Sequence, residues 1–272
     1  YTNTSSAGNT AIGYHASSAT TGANNTSVGY QALFTNSTGD NQTAIGYRAL
    51  YNSTGSDNSA IGYQALFTNS TGVNNIAFGS SALYTNSTGN NNIAIGASAL
   101  TAANASSNIG IGGNAGYSIT SGAGNVAVGN GALASNETNS GNVAIGASAA
   151  NLSTNSGITA VGYEVLRVNS TGYSQTAMGW RSMYSNTTGY NNLAIGYESL
   201  YGNTTGNENT IVGTSAGRTG TYSAATMLGY RAGGLSTQAG IFIGHQAGYD
   251  NEGANCVFIG NSTGLNNTSD DN

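Results

Sequence analysis

Apolar and polar positions alternate in short bursts along this chain, and each burst ends on glycine, as in Asn58-Ser59-Ala60-Ile61-Gly62-Tyr63-Gln64-Ala65-Leu66. With that glycine taken as position 0, the same glycine recurs at 13, 29, 46, 62, 79, 96, 112, 129, 146, 162, 179, 196, 213, 229, 244 and 260, in steps of 15 to 17 residues. Sixteen copies of one unit therefore fill nearly all of the 272 residues. The consensus runs Asn (−4), Thr/Ile/Val (−3), Ala (−2), Ile/Val (−1), Gly (0), Tyr (+1), variable (+2), Ala (+3), Leu (+4), Phe/Tyr (+5), then Asn-Ser-Thr-Gly. Aliphatic residues at −3 and −1 flank a small residue at −2, which is the period of a strand, and Gly/Asn/Ser/Thr clusters bound each run. A unit this short has no room for a helical hairpin. The pattern predicts an all-β, parallel β-solenoid of sixteen coils stacked at about 4.8 Å, a rod of roughly 70 Å.

Stacking turns each consensus position into a column. Position −1 is apolar in every unit, at Ile12, Val28, Ile45, Ile61, Phe78, Ile95, Ile111, Val128, Ile145, Val161, Met178, Ile195, Val212, Leu228, Ile243 and Ile259. That row is expected to be the core, each side chain worth about 1.5–3 kcal/mol on burial. Position −4 is Asn at 9, 25, 58, 75, 92, 108, 125, 142, 192 and 209, so Asn9, Asn25, Asn58, Asn75, Asn92, Asn108, Asn125, Asn142, Asn192 and Asn209 are expected to form a hydrogen-bonded ladder. The glycine marks either a bend or a close approach of the neighbouring backbone. Small residues at −2 and +3 predict tight packing against that face. From Ile211 the pattern changes: −2 becomes Met227, Phe242 and Phe258, while +4 becomes Gly217, Gly233, Gly248 and Gly264. Residues 1–210 are thus expected to be regular coils, and 211–272 variant coils with a ragged C-terminal tail.

Composition narrows the function. Forty-two Gly, no Pro and 6% charged residues exclude collagen, coiled coils and charge-rich disorder. A formal charge of −5 with five Arg and no cluster of them along the chain leaves no electropositive footprint for nucleic acid. Cys256 is the one cysteine, so no intrachain disulfide framework exists. No apolar run approaches a membrane span, and Tyr1 is not preceded by a leader, so a piece of something longer with its export signal elsewhere is expected.

The repeated A-I-G-Y-x-A-L phrase, seen at Ala60 to Leu66, resembles the head repeats of trimeric autotransporter adhesins and equally the shafts of phage tail fibres; Ile241 to Gly248 is similar to coils of those fibres. The resemblance covers almost the whole chain. It implies a left-handed β-roll, three chains around one axis, and display on a cell surface or virion. The unit here is longer than that of the common adhesin head because of the Asn-Ser-Thr-Gly loop.

Three candidate surfaces follow. Aromatic stripes run at +1, including Tyr30, Tyr47, Tyr63, Tyr163, Trp180 and Tyr197, and at +5; stacked rings either grip a glycan or protein receptor or simply form a structural ladder. The +1 stripe is interrupted at Ser80, Ala97, Gly113, Asn130 and Ala147, so two contact zones are expected. The Asn-[Ser/Thr]-Thr-Gly loops at 36–39, 52–55, 69–72, 86–89, 169–172, 186–189 and 203–206 match both a turn and a glycosylation acceptor, with the turn the plainer reading. Thr10, Thr26 and Thr43 begin an array that Ile76 and Ile93 interrupt, which argues against an ice-binding face. His15 and His245 stand fourteen coils apart, and Asp40, Asp57, Glu164 and Glu198 read as solvated charges, so neither catalysis nor a cofactor or metal site is expected. The function expected is a rigid extracellular segment, adhesin or fibre shaft; a self-assembling filament subunit and a lectin-like module are the alternatives.

Overall fold

A computed structural model describes residues 8–270 and is an all-β, parallel β-solenoid. Among the described residues no helix is long and apolar enough to cross a membrane. The chain divides into two compact units, Tyr1–Gly141 and Asn142–Asn272. In the first, β1 (Thr10–Ile12), β2 (Thr26–Val28), β3 (Thr43–Ile45), β5 (Ser59–Ile61), β7 (Ile76–Phe78), β8 (Ile93–Ile95), β9 (Ile109–Ile111) and β10 (Val126–Val128) form one ladder, one strand per glycine. Short strands β4 (Asn52–Ser53) and β6 (Thr68–Asn69) pair beside it. The second unit holds β11 (Val143–Ile145), β12 (Ile158–Val161), β13 (Gln175–Met178), β14 (Leu193–Ile195), β15 (Thr210–Val212), β16 (Thr226–Leu228), β17 (Gly240–Ile243) and β18 (Cys256–Ile259). Register is in phase within each unit: Ala44 faces Ala60, Ala60 faces Ala77, Ala77 faces Ala94, and likewise Ala160 faces Ala177 and Ala177 faces Ala194. Equivalent residues therefore stack as columns.

Both explanations for the glycine hold at once. Gly79 has φ 138°, a left-handed value that L side chains rarely adopt, and a Cβ placed there would lie 2.5 Å from the Gly96 carbonyl oxygen on the next rung. The turn that follows places +2 and +4 at positive φ as well, for example Gln64 at 52° and Leu66 at 50°. Leu66 accepts that backbone because its side chain fills the interior and is fully buried.

The core is not where the periodicity placed it. None of the −1 residues Ile12, Val28, Ile45, Ile61, Phe78, Ile95, Ile111, Val128, Ile145, Val161, Met178, Ile195, Val212, Leu228, Ile243 and Ile259 is buried; Ile45, Phe78 and Ile111 are each 37% exposed. The buried rows are the small −2 residues, such as Ala44, Ala60, Ala77 and Ala94, with the Ala at +3 and the Leu at +4. The physical reason is the narrow roll. A strand presents alternate residues to opposite faces, and the interior accommodates one Leu per rung only if the strand opposite contributes a methyl. The larger aliphatic residues at −3 and −1 consequently face outward, shielded mainly by their own column.

In β15 to β18 this exchange of volume reverses. Ile211, Met227 and Phe242 at −2 are fully buried, while +4 is Gly217, Gly233 and Gly248. A Cβ at Gly233 would lie 2.9 Å from Phe242 Cδ2, and one at Gly248 2.7 Å from Phe242 Cδ1. Tyr222 fills the remaining space: its hydroxyl donates to Ser236 O at 2.7 Å and accepts from the Gly220 N–H at 3.0 Å. Burial pushes its pKa up to about 12, against the smaller opposing effect of the Gly220 N–H. Because the folded value lies above that of the unfolded chain, the stability linked to Tyr222 is complete below about pH 10 and is lost as pH rises towards 12, about 2–3 kcal/mol in all. In a tyrosinate absorbance titration, one of the seventeen tyrosines should ionise last, with unfolding, and Tyr222→Phe should remove that component. A titration unchanged by the substitution would contradict this placement.

Candidate functional site: the aromatic and arginine seam

The turn after each glycine carries +1 and +5 side by side, with the +2 side chain reaching between them. In the first unit Tyr14, Tyr30, Tyr47 and Tyr63 stack with ring centroids 5.2–5.3 Å apart and planes within 13° of parallel. Phe34, Tyr51, Phe67 and Tyr84 stack at 5.1 Å in the +5 column. Arg48 at +2 bridges the columns, its guanidinium carbon 5.1 Å from the Tyr47 ring centre and 5.4 Å from that of Tyr51. In the second unit Tyr163, Trp180 and Tyr197 form the +1 stack, at 6.1 and 4.9 Å, and Tyr184 stacks on Tyr201 at 5.3 Å. Of the six predicted contact residues, Tyr30, Tyr47, Tyr63, Tyr163 and Tyr197 are exposed and Trp180 is half-buried. The structure brings Tyr30, Tyr47 and Tyr63 together in one unit and Tyr163, Trp180 and Tyr197 together in the other. The two histidines belong to the same seam: His15 lies edge-on to Tyr14 at 4.1 Å, and His245 stacks on Tyr230 at 5.2 Å.

Arginines that look scattered along the chain fall on this seam, because all five occupy +2 (Arg48, Arg181, Arg231) or +5 (Arg167, Arg218). Glu164 and Glu198 are correspondingly not free in solvent. Glu164 accepts from Arg181 at 2.7 Å and lies 3.8 Å from Arg167; Glu198 accepts from Arg218 at 2.6 Å. The hydrogen bond to Glu198 raises the Arg218 pKa above its ordinary value, outweighing the opposing cost of burial. Arg181 lies 4.3 Å from the Trp180 ring centre, a cation–π geometry. No protein-family model matches the chain, and no curated protein does. The seam's chemistry is that of ring faces, hydroxyls and guanidinium groups in a repeated array.

The asparagine rows supply the rigidity behind it. At −4 the side chain mostly accepts the backbone N–H of the next rung: Asn9 from Asn25, Asn58 from Asn75, Asn75 from Asn92, Asn92 from Asn108, Asn108 from Asn125 and Asn192 from Asn209, all at 2.8–3.1 Å. Asn25, Asn142 and Asn209 do the same for Gln42, Ile158 and Ala225. The Nδ2 groups donate to carbonyls of the following loop, as from Asn125 to Asn139 O at 2.9 Å. The ladder is thus mainly side chain to backbone, with direct amide pairs such as Asn209 to Asn192 at 2.8 Å.

A second asparagine row, at +7, escaped the sequence reading because it sits inside the Asn-Ser-Thr-Gly loops. Asn36, Asn69, Asn86, Asn169, Asn186 and Asn203 are fully buried. Asn36 closes its own turn, donating to Gly39 O at 2.8 Å and accepting from Gly39 N–H at 2.7 Å. Successive members are linked, Asn186 to Asn169 at 2.8 Å and Asn203 to Asn186 at 3.1 Å. These side chains are inaccessible to a glycosyl transferase in the folded chain. The loop at 52–55 differs: Ser53 takes the buried position and Asn52 is half-buried. Reading the loops in register with the glycine, where Ser53, Ala103, Ile119 and Ser153 alternate with Asn, was the available signal of an interior column.

Proposed function

We propose that this chain is a rigid, extracellular fibre or adhesin segment in which three copies associate through their outward aliphatic rows and present the aromatic seam as a contact surface. The observation that carries the reading is the −3 and −1 face. On a surface otherwise rich in Ser, Thr and Asn, Ile45, Ile61, Phe78, Ile95 and Ile111 continue rung after rung at 37–40% exposure, flanked by half-buried Ile76, Ile93 and Ile109. A contiguous apolar strip of this kind marks an association surface, and the thin alanine-lined interior makes extra burial between chains favourable. The number three, the extracellular setting and display on a cell or virion come from the resemblance to adhesin heads and tail-fibre shafts. The role is mechanical rather than catalytic, extending a structure and offering a surface.

Light scattering with electron microscopy tests it. Particles of fixed length with three times the chain mass of 27.1 kDa are expected, whereas particles of indefinite length support the filament alternative. The double substitution Ile61→Asp and Ile95→Asp should weaken association by about two orders of magnitude, since carboxylates are not buried unpaired, while each chain keeps its strand signal. A wild-type monomer, or an unchanged mass in the double variant, would refute the proposal.

A further inference from the structure

In the second unit both ring columns are broken on neighbouring rungs, the +5 column at Arg218 as well as on the rung after it. The +1 column has Thr214 where a ring would continue from Tyr197, and the +5 column has Gly234 below Tyr249. The gap at Gly234 opens onto a pocket of about 320 Å³, lined by Tyr197, Glu198, Arg218, Arg231, Leu235 and Tyr249 among others, at the small end of the roughly 300–1,000 Å³ range of ligand sites. Its charge is unbalanced. Arg218 is neutralised by Glu198 at 2.6 Å, but Arg231 makes no ion pair among the described residues and lies over ring faces, 5.3 Å from the Tyr230 centroid and 5.9 Å from that of Tyr249.

We propose that this pocket binds one anionic pyranose unit, a sugar carrying a carboxylate. The Tyr197 and Tyr249 rings line the pocket together with the Arg231 guanidinium, and an aromatic face suits stacking by the apolar face of a sugar ring. The C–H face of a pyranose matches the exposed Tyr197 ring and the exposed Leu235 side chain. The free fork of the Arg231 guanidinium matches a carboxylate in geometry and charge, and tyrosine hydroxyls with the Ser215 hydroxyl, also lining the pocket, serve the sugar hydroxyls. On a chain of formal charge −5, a single uncompensated cation in a concave site selects an acidic sugar over a neutral one. The proposal stands on this unit's own side chains and does not depend on three-fold association.

Isothermal titration calorimetry on the full chain should detect methyl β-D-glucuronide in the millimolar range, with methyl β-D-glucoside and acetate at least tenfold weaker. Arg231→Gln, at an exposed site, should weaken the glucuronide at least tenfold. Leu235→Asp, at an exposed position of the lining, sets a second carboxylate against that of the guest and should remove binding without lowering the unfolding temperature. No glucuronide binding, equal binding of the glucoside or of acetate, or full affinity in either variant would overturn the proposal.

Discussion

Replacing Gly79 with alanine should unfold the rungs around it, at a cost of about 4 kcal/mol or more. Two penalties coincide there. The backbone holds φ at 138°, and the new Cβ would meet the Gly96 carbonyl at 2.5 Å for oxygen and 2.6 Å for carbon. Neither atom is free to move, because the Gly79 N–H bonds Ile61 O and the Gly96 N–H bonds Phe78 O, at 2.8 and 2.7 Å. Gly141→Ala is the matched control: φ is 71°, but nothing lies within 4 Å of the added carbon, so only the conformational cost of about 1–2 kcal/mol remains. Chemical denaturation should separate the two clearly. Equal midpoints would mean that the glycine column is not a backbone contact.

Asn75→Asp should destabilise the same region by about 3–5 kcal/mol at neutral pH, although it changes one atom. Asn75 is fully buried. Its Oδ1 accepts from the Asn92 N–H at 2.9 Å, while Nδ2 donates to Gly89 O at 2.8 Å and Asn58 Oδ1 at 3.1 Å. A carboxylate keeps the first bond and turns the other two into oxygen–oxygen repulsions. Protonation restores a donor, so the folded state should hold the new carboxyl's pKa above that of the unfolded chain, and the lost stability should return as pH falls through the carboxylate range. Measuring unfolding free energy against pH checks both magnitude and sign. An exposed, mobile Asn75 would give a small, pH-independent change.

The rung period, the parallel stacking and the −4 asparagine row were legible because each repeats at one fixed distance from the glycine. Which face of the strand turns inward was not. Alternation says that −2 opposes −1 and −3, and hydrophobicity alone assigns Ile61 to the interior and Ala60 to the outside. What decides the matter is the width of the roll, a property of the turn at +2 to +4, where Leu66 sits at positive φ and claims the interior volume. The Met227, Phe242 and Phe258 substitutions against Gly217, Gly233, Gly248 and Gly264 already expressed that constraint, as an exchange of volume across one narrow space. The seam chemistry stayed hidden for a different reason. Arg218 and Arg231 are thirteen residues apart and look unrelated until +5 and +2 are recognised as neighbouring columns, after which they line the same pocket.

Residues one repeat apart lie over one another in this fold. Methyl–methyl nuclear Overhauser effects in alanine-labelled protein test it most directly, using Ala44, Ala60, Ala77 and Ala94, which pair in register on adjacent strands. Strong cross-peaks should link each alanine to the ones sixteen or seventeen residues before and after it. Cross-peaks confined to sequence neighbours, with none between Ala60 and Ala77 or between Ala77 and Ala94, would contradict the stacked solenoid.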